Sequence, residues 1–313
     1  MSGIRDILYV RFSVSDIKKQ ASFLTEFGFE VRNAGRENFD IKSKGDLLIA
    51  RGTDPSSYVY IAEKGEDAFL GLGFEAESLE DLNRIAAIDS VPVEEISELP
   101  GGGLRARLTD PDGFTVDVVF GISHPDALDV PERNGVNTGE IRPRMGERVV
   151  LPGSKQIVKR LGHCVINVTD FRTSEAWYKE RIGFITSDEI FIGDESNTLG
   201  AFLRLNRGQE YVDHHTMFVV GAGQPEFNHA AFEVADWDTL MLGHGRLTAA
   251  EYQHKWGVGK HLLGSQVFDY WKDPHGFTLE HFTDGDLFNV SFGSHRQPIE
   301  TLMGVHWGPE GMP

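Results

Sequence analysis

One arrangement of residues is written twice in this chain, and that duplication limits what it can fold into. Leu8 to Asp16 reads as a strand, Ser15 or Asp16 can cap a helix, Ile17, Ala21, Leu24 and Phe27 recur on one helical face, and Gly28 ends it. The same order returns with a strand over Leu161 to Val168, a cap at Thr169-Asp170, a helix over Ser174 to Arg181, and Ile182-Gly183-Phe184 answering Phe27-Gly28-Phe29. Gly71 to Ala76 with a Ser78-capped helix carrying Leu79, Leu82 and Ile85 is echoed by His229 to Val234 and a helix from Trp237 to Leu242. Thr109-Asp110-Pro111-Asp112-Gly113 is echoed by Lys272-Asp273-Pro274-His275-Gly276, a turn in which Pro fixes φ and Gly accepts the closing conformation. The paired positions Tyr9 and His163, Gly71 and His229, and Asp117 and Glu280 lie 154, 158 and 163 residues apart, so the copies differ by small insertions only. At 313 residues the chain holds two units with a core each. The expected division is a first unit over residues 1–124, a Pro- and charge-rich linker or strap over 125–155, a second unit over 156–290, and a tail over 291–313.

The copies differ where chemistry would sit. Two of the three potential metal ligands in the second, His163 and His229, are replaced by Tyr9 and Gly71 in the first. Of 12 histidines only His124 precedes residue 160, which concentrates the chemistry in the C-terminal half. The second copy is therefore expected to carry the site and the first to be structural, with Asp117 serving structure too.

Within the second copy, His261 to Phe282 reads as a hairpin turning at Asp273-Pro274-His275-Gly276. Strand alternation puts Glu280 on one face with Thr278 and Phe282, and Leu279 and His281 on the other. A carboxylate on an inward face needs a metal ion or an arginine to remain ionised. The formal charge of −18 excludes nucleic acid as a partner, which would require clustered Lys and Arg. The sequence has no run of about 18 apolar residues, and Arg5, Asp6 and Arg11 near its start do not suit a signal peptide. A cytoplasmic protein without membrane contact is expected. Cys164 is the only cysteine, so a thiolate cage is excluded, and it is expected to pack in the core facing away from the ligands.

His163, His229 and Glu280 on three strands suit a facial triad, which leaves adjacent positions open on a divalent ion, typically iron(II). Zinc in the same set would serve hydrolytic or Lewis-acid chemistry. His215, fourteen residues before His229 and on a strand expected to neighbour it, is placed to hydrogen-bond dioxygen and shuttle a proton. Its neighbour His214 is expected to face the opposite way. His261 and Tyr270, nineteen and ten residues before Glu280, are placed to orient or deprotonate a diphenol and to donate to its oxygen. His281, His275, His244 and His254 are read as structural or surface residues: wrong strand face, turn tip or helix surface.

His163 in LGHCVINVTD, His229 in FNHAAFEV and Glu280 in DPHGFTLEHF, with His215, His261 and Tyr270 at these spacings, resemble type I extradiol ring-cleavage dioxygenases of the vicinal oxygen chelate superfamily. The resemblance runs from about Tyr9 to Phe288. It implies an α+β fold of two tandem domains, each of paired βαβββ modules forming a barrel-like, half-open sheet, with metal only in the C-terminal one. It implies Fe(II), with Mn(II) as the alternative, a catecholic substrate opened by insertion of both atoms of O2, acid help from His215, and a homo-oligomer. Rival readings are a glyoxalase-like lyase or isomerase, a 4-hydroxyphenylpyruvate-dioxygenase-like enzyme, and a metal-free binding protein. The tail is expected either to strap over a domain or to close the pocket.

Overall fold

Each repeated phrase of the sequence folds into a βαβββ module, and four modules follow one another in a computed structural model that describes residues 2–33, 47–131, 133–151, 153 and 155–311. Glu132, Pro152 and Ser154 of the expected linker, and Met312 and Pro313 of the tail, lie outside the described residues. The first module is β1 (Ile4–Val14), α1 (Ile17–Phe27), β2 (Glu30–Asn33), β3 (Leu47–Arg51) and β4 (Tyr60–Lys64). The second is β5 (Ala68–Ala76), α2 (Leu79–Ile88), β6 (Val93–Glu95), β7 (Leu104–Thr109) and β8 (Thr115–Phe120). The third is β9 (Val158–Val168), α3 (Phe171–Ile182), β10 (Phe184–Phe191), β11 (Thr198–Leu205), a short β12 (Val212–Asp213) and β13 (Met217–Gly221). The fourth is β14 (Glu226–Val234), α4 (Trp237–Ala249), β15 (His254–His261), β16 (Val267–Lys272) and β17 (Thr278–Thr283). The tail adds β18 (Leu287–Phe288), β19 (His295–Pro298), α5 (Ile299–Leu302) and β20 (Val305–Trp307).

Local chemistry sets the helix ends. Asp16 rather than Ser15 caps α1, its carboxylate accepting from the amides of Lys18 and Lys19, and Asp170 caps α3 by accepting from Thr173. Gly28 closes α1 at φ 113°, a left-handed conformation that suits glycine, with its N–H donating to Leu24. α4 runs a full turn and more beyond Leu242, because its buried Gly243 and Leu247 continue the packed face.

The modules pair into two open, curved sheets. The first has strand order β2-β3-β4-β1-β5-β8-β7-β6, and the second β19-β10-β11-β13-β9-β14-β17-β16-β15-β20. In both, the leading strands of the two modules meet antiparallel at the centre, as β1 with β5 and β9 with β14. The duplication read in the sequence relates the two sheets, β1, β5 and β8 answering β9, β14 and β17, while the paired modules add a pseudo-twofold inside each sheet.

The D-P-x-G turns have an explanation that goes beyond turning. Asp110 and Asp273 are both buried; each accepts from two amides of its own turn and from a helix of the other half. Tyr178 Oη on α3 donates to Asp110 at 3.0 Å, and Gln20 Nε2 on α1 donates to Asp273 at 3.0 Å. Phe12 sits between the halves, stacked on Tyr60 and within 5.0 Å of the Phe227 and Phe277 ring centres. His275 is accordingly more than a turn-tip residue, since it pairs with Asp67 at 2.8 Å across the same junction. The segment after β8 runs in extended form from one half to the other, the Leu128 amide donating to Thr53 O and Arg133 reaching the α4 cap residue Asp236 at 2.7 Å.

The tail does both things the sequence left open. β19 extends the ten-stranded sheet at β10, β20 extends it at β15, and α5 between them lies across the mouth of the enclosed cavity.

Candidate metal centre and active site

β9, β14 and β17 are neighbours in the ten-stranded sheet, and strand alternation turns one ligand-type side chain from each toward its concave face. Register does the rest: His163 pairs with Ala231, which in turn pairs with Glu280. His163 Nε2 and His229 Nε2 each lie 3.4 Å from Glu280 Oε2, and the three donor atoms fall within 4.8 Å of one another.

Whether these residues fit a metal is decided by Glu280. Its side chain has no solvent exposure, yet neither carboxylate oxygen has a hydrogen-bond partner, and His163 Nδ1 is also unpartnered. At 3.4 Å the imidazoles are ion-pair neighbours rather than good hydrogen-bond donors. Burial alone would push the Glu280 carboxyl up, but His163 and His229 outweigh it and hold it well below the usual range. They do so only while they carry protons, and burial pushes His229 the other way. A divalent cation removes this conflict, because it satisfies the carboxylate and takes the lone pairs of neutral imidazoles. Asn228 Oδ1 accepts from His229 Nδ1 at 2.8 Å, which leaves Nε2 as the ligating nitrogen.

In the first half the equivalent place is filled. Tyr9 Oη donates to the buried Asp117 at 2.6 Å, and Arg107 grips the same carboxylate through Nε at 2.8 Å and Nη2 at 2.9 Å. A Cβ at Gly73 would fall 2.3 Å from the Tyr9 ring, so the phenol needs that glycine. A cation made of guanidinium and a bulky phenol stand where the second half has imidazoles.

Three further predicted residues line the same cavity. The His215 ring lies tilted against His163 with ring centres 4.1 Å apart, and burial, helped by His163, holds it well below the ordinary imidazole range. His261 Nε2 lies 3.0 Å from Tyr270 Oη. Burial depresses His261 to about 4 and, with the Glu280 charge, lifts the Tyr270 phenol well above its usual value. All three are therefore neutral near pH 7.

The cavity takes in His215 and not His214, as expected, but the reason given for His214 needs correction. It was read as facing away from His215, but both precede β13, which begins at Met217, so strand alternation does not apply to them and both are buried. His214 Nδ1 lies 2.9 Å from His215 Nδ1, and His214 Nε2 lies 2.7 Å from Asp188 Oδ2. The adjacent pair of histidines was the sequence signal for this chain of contacts. His281 does face away from Glu280's side, and its Nε2 reaches Phe27 O at 2.7 Å. His244 and His254 are not plain surface residues, since both contact the buried Asp269.

The cavity measures about 140 Å³. Its floor is polar, with His163, His215, His229, His261 and Tyr270; its walls are Val165, Leu199, Phe202, Phe218, Val220 and Leu263, closed by Ile299, Leu302 and Met303 of the tail. Gln266 and Asn228 are the remaining lining residues, and no lysine or arginine is among them.

Residues 160–281 match the model of the Glyoxalase/Bleomycin resistance protein/Dioxygenase superfamily. The chain is 26% identical to metapyrocatechase 2 of Cupriavidus necator, over 91% of this chain and 82% of the relative. It is 23% identical to an iron-dependent extradiol dioxygenase of Rhodococcus jostii, with 90% of each covered. Among solved structures, a Mn(II)-bound glyoxalase from Novosphingobium aromaticivorans superposes with a TM-score of 0.77 at 20% identity, covering 100% of this chain and 95% of that one. The 2,3-dioxygenase LapB from Pseudomonas sp. KL28 gives 0.75 at 16% identity, covering 96% and 99%. At those identities the structural likeness is one of fold.

Proposed function

We propose that this chain, a member of the Glyoxalase/Bleomycin resistance protein/Dioxygenase superfamily through residues 160–281, is an extradiol dioxygenase that opens a catechol-type ring bearing an apolar substituent. Fe(II) is the proposed metal, held by His163, His229 and Glu280. The observation that carries this reading is a fully buried carboxylate with neither oxygen hydrogen-bonded, set between two imidazole nitrogens. Relatives named metapyrocatechase and iron-dependent extradiol dioxygenase support the choice of chemistry and of iron.

When bound, the ion supplies Lewis acidity toward a diol and a source of electrons for dioxygen. The chain's own groups handle protons and position. Tyr270 stays a phenol and donates its hydrogen bond to a substrate oxygen, while His261 Nε2, 3.0 Å from that phenol, can take up a diol proton because its ring is neutral. His215 works as a base or an acid according to its tautomer. With Nδ1–H donated to His214, its Nε2 carries a lone pair and can take a proton from the substrate; the Nδ1 proton then passes to His214, whose charge Asp188 offsets, and the Nε2–H so formed can be returned as an acid. The apolar walls exclude water from the reacting ring and accept an uncharged substituent, and the absence of a basic lining residue disfavours a carboxylate-bearing catechol. Both atoms of O2 enter the ring-opened product, so no external reductant is consumed.

Oxygen uptake by anaerobically Fe(II)-loaded protein, followed with catechol, alkylcatechols and carboxylated catechols, tests the reading. Uptake matched by the yellow ring-opened product, with alkylcatechols ahead of carboxylated ones, is expected. No uptake with any diol by the metal-loaded protein would favour glyoxalase-like chemistry.

A further inference from the structure

We propose a second divalent-cation site, formed by His244, His254 and Asp269 on the opposite face of the sheet from the catalytic cavity. Side chains alternate along β16, so Tyr270 enters the cavity and its neighbour Asp269 leaves by the other face. There Asp269 meets His244 from α4 and His254 from the start of β15. His254 Nε2 lies 2.8 Å from Asp269 Oδ1, and His244 Nδ1 lies 3.1 Å from Oδ2 and 3.3 Å from Oδ1. One donor atom from each of the three residues falls within a common 4.8 Å.

Donors bonded at about 2.1 Å around a four- to six-coordinate cation sit roughly 3 to 3.4 Å apart; the His244 separations already fall in that range, and the 2.8 Å His254 contact needs to widen by a few tenths of an ångström. The carboxylate is fully buried and fixed from behind by Trp271 Nε1, which donates to Oδ2 at 2.6 Å. Both imidazoles pack edge-on against the Trp271 ring, at 5.4 and 4.7 Å between centres. They are 28% and 33% exposed, so the site has a rigid, dry base and a wet rim where water can complete the coordination. Metal binding requires little rearrangement. Binding displaces the imidazole protons that face Asp269, including the one on His244 that the carboxylate holds more tightly than usual, and frees the inner lone pairs. The cluster is built on a buried carboxylate in a chain of formal charge −18, which favours a cation over an anion. Two imidazoles, a carboxylate and water suit Zn(II), Co(II) or Ni(II) better than Mg(II) or Ca(II). An ion here would tie α4, β15 and β16 together directly behind Tyr270.

The test is equilibrium dialysis of chelator-stripped full-length protein against Co(II), with metal analysis and visible absorption, for wild type, His254→Ala, His244→Gln and His229→Ala. Wild type should bind two equivalents; His254→Ala and His244→Gln should lose one and keep the catalytic one, which also shows that they fold. His229→Ala should keep the outer equivalent, so loss of the catalytic reading and loss of this one are separately visible. A single equivalent in wild type, or a second equivalent that persists in both outer-site variants, would overturn the proposal.

Discussion

Glu280→Gln should make the metal-free protein more stable while removing its response to metal. In the absence of an ion the wild-type carboxylate is buried with no hydrogen bond to either oxygen, beside imidazoles at 3.4 Å. An isosteric amide lifts the charge without opening a cavity. Relieving an unsatisfied buried group of this kind is worth about 1–3 kcal/mol. With a conversion of about 2–4 °C per kcal/mol for a unit of this size, the melting temperature should rise by roughly 2–12 °C. The wild type should reverse the order once metal is added, since a ligand at a hundredfold excess over its Kd stabilises by about 2.7 kcal/mol. Calorimetry of chelator-treated and Mn(II)-loaded samples reads both effects, in a His254→Ala background so that the outer site adds nothing. A metal-free Glu280→Gln variant that melts below wild type, or one that keeps the full metal-induced rise, would refute the argument that this carboxylate is held in readiness for a cation.

Other perturbations follow from the same contacts. His214→Gln should retain the metal and lose turnover by about 10- to 100-fold with KM little changed, measured by steady-state oxygen uptake, because His215 loses its link to Asp188. Arg107→Ala leaves Asp117 buried with Tyr9 alone; breaking such a pair can cost 3–5 kcal/mol, but Arg107 is 42% exposed and water will screen the loss, so about 1–3 kcal/mol is expected in denaturant unfolding. Burial raises the Asp110 carboxyl above its ordinary 3.8. Its contribution to stability is therefore fully present below that value and lost as pH rises through the folded-state value. Asp110→Asn cannot ionise, so its stability relative to wild type should improve as pH rises from about 4 toward neutrality, read as unfolding free energy against pH.

The fold was legible where local chemistry and the duplication agreed. Asp16, Gly28, Asp170 and Gly183 mark helix ends by capping and by glycine's freedom at positive φ, and the repeated D-P-x-G pins the register of both halves. His163, His229 and Glu280 stood out because the same chain carries Tyr9, Gly71 and Asp117 at the matching places. The contacts of His214 with His215 and Asp188 were missed because alternation was applied to residues that precede their strand. The tail was unreadable because α5 is four residues long and exists only through the sheet edges on either side. The Asp269 cluster was hidden for a related reason: its members come from three elements with no motif spacing, and only packing brings α4 against β15 and β16.

The central claim is that this chain opens a diol ring with dioxygen at His163, His229 and Glu280. Turnover of an alkylcatechol under ¹⁸O2 by Fe(II)-loaded protein, with mass analysis of the product, tests it most directly. The account predicts that both labelled atoms enter one ring-opened product and that Glu280→Gln forms none. An unlabelled product, or undiminished turnover by Glu280→Gln, would contradict it.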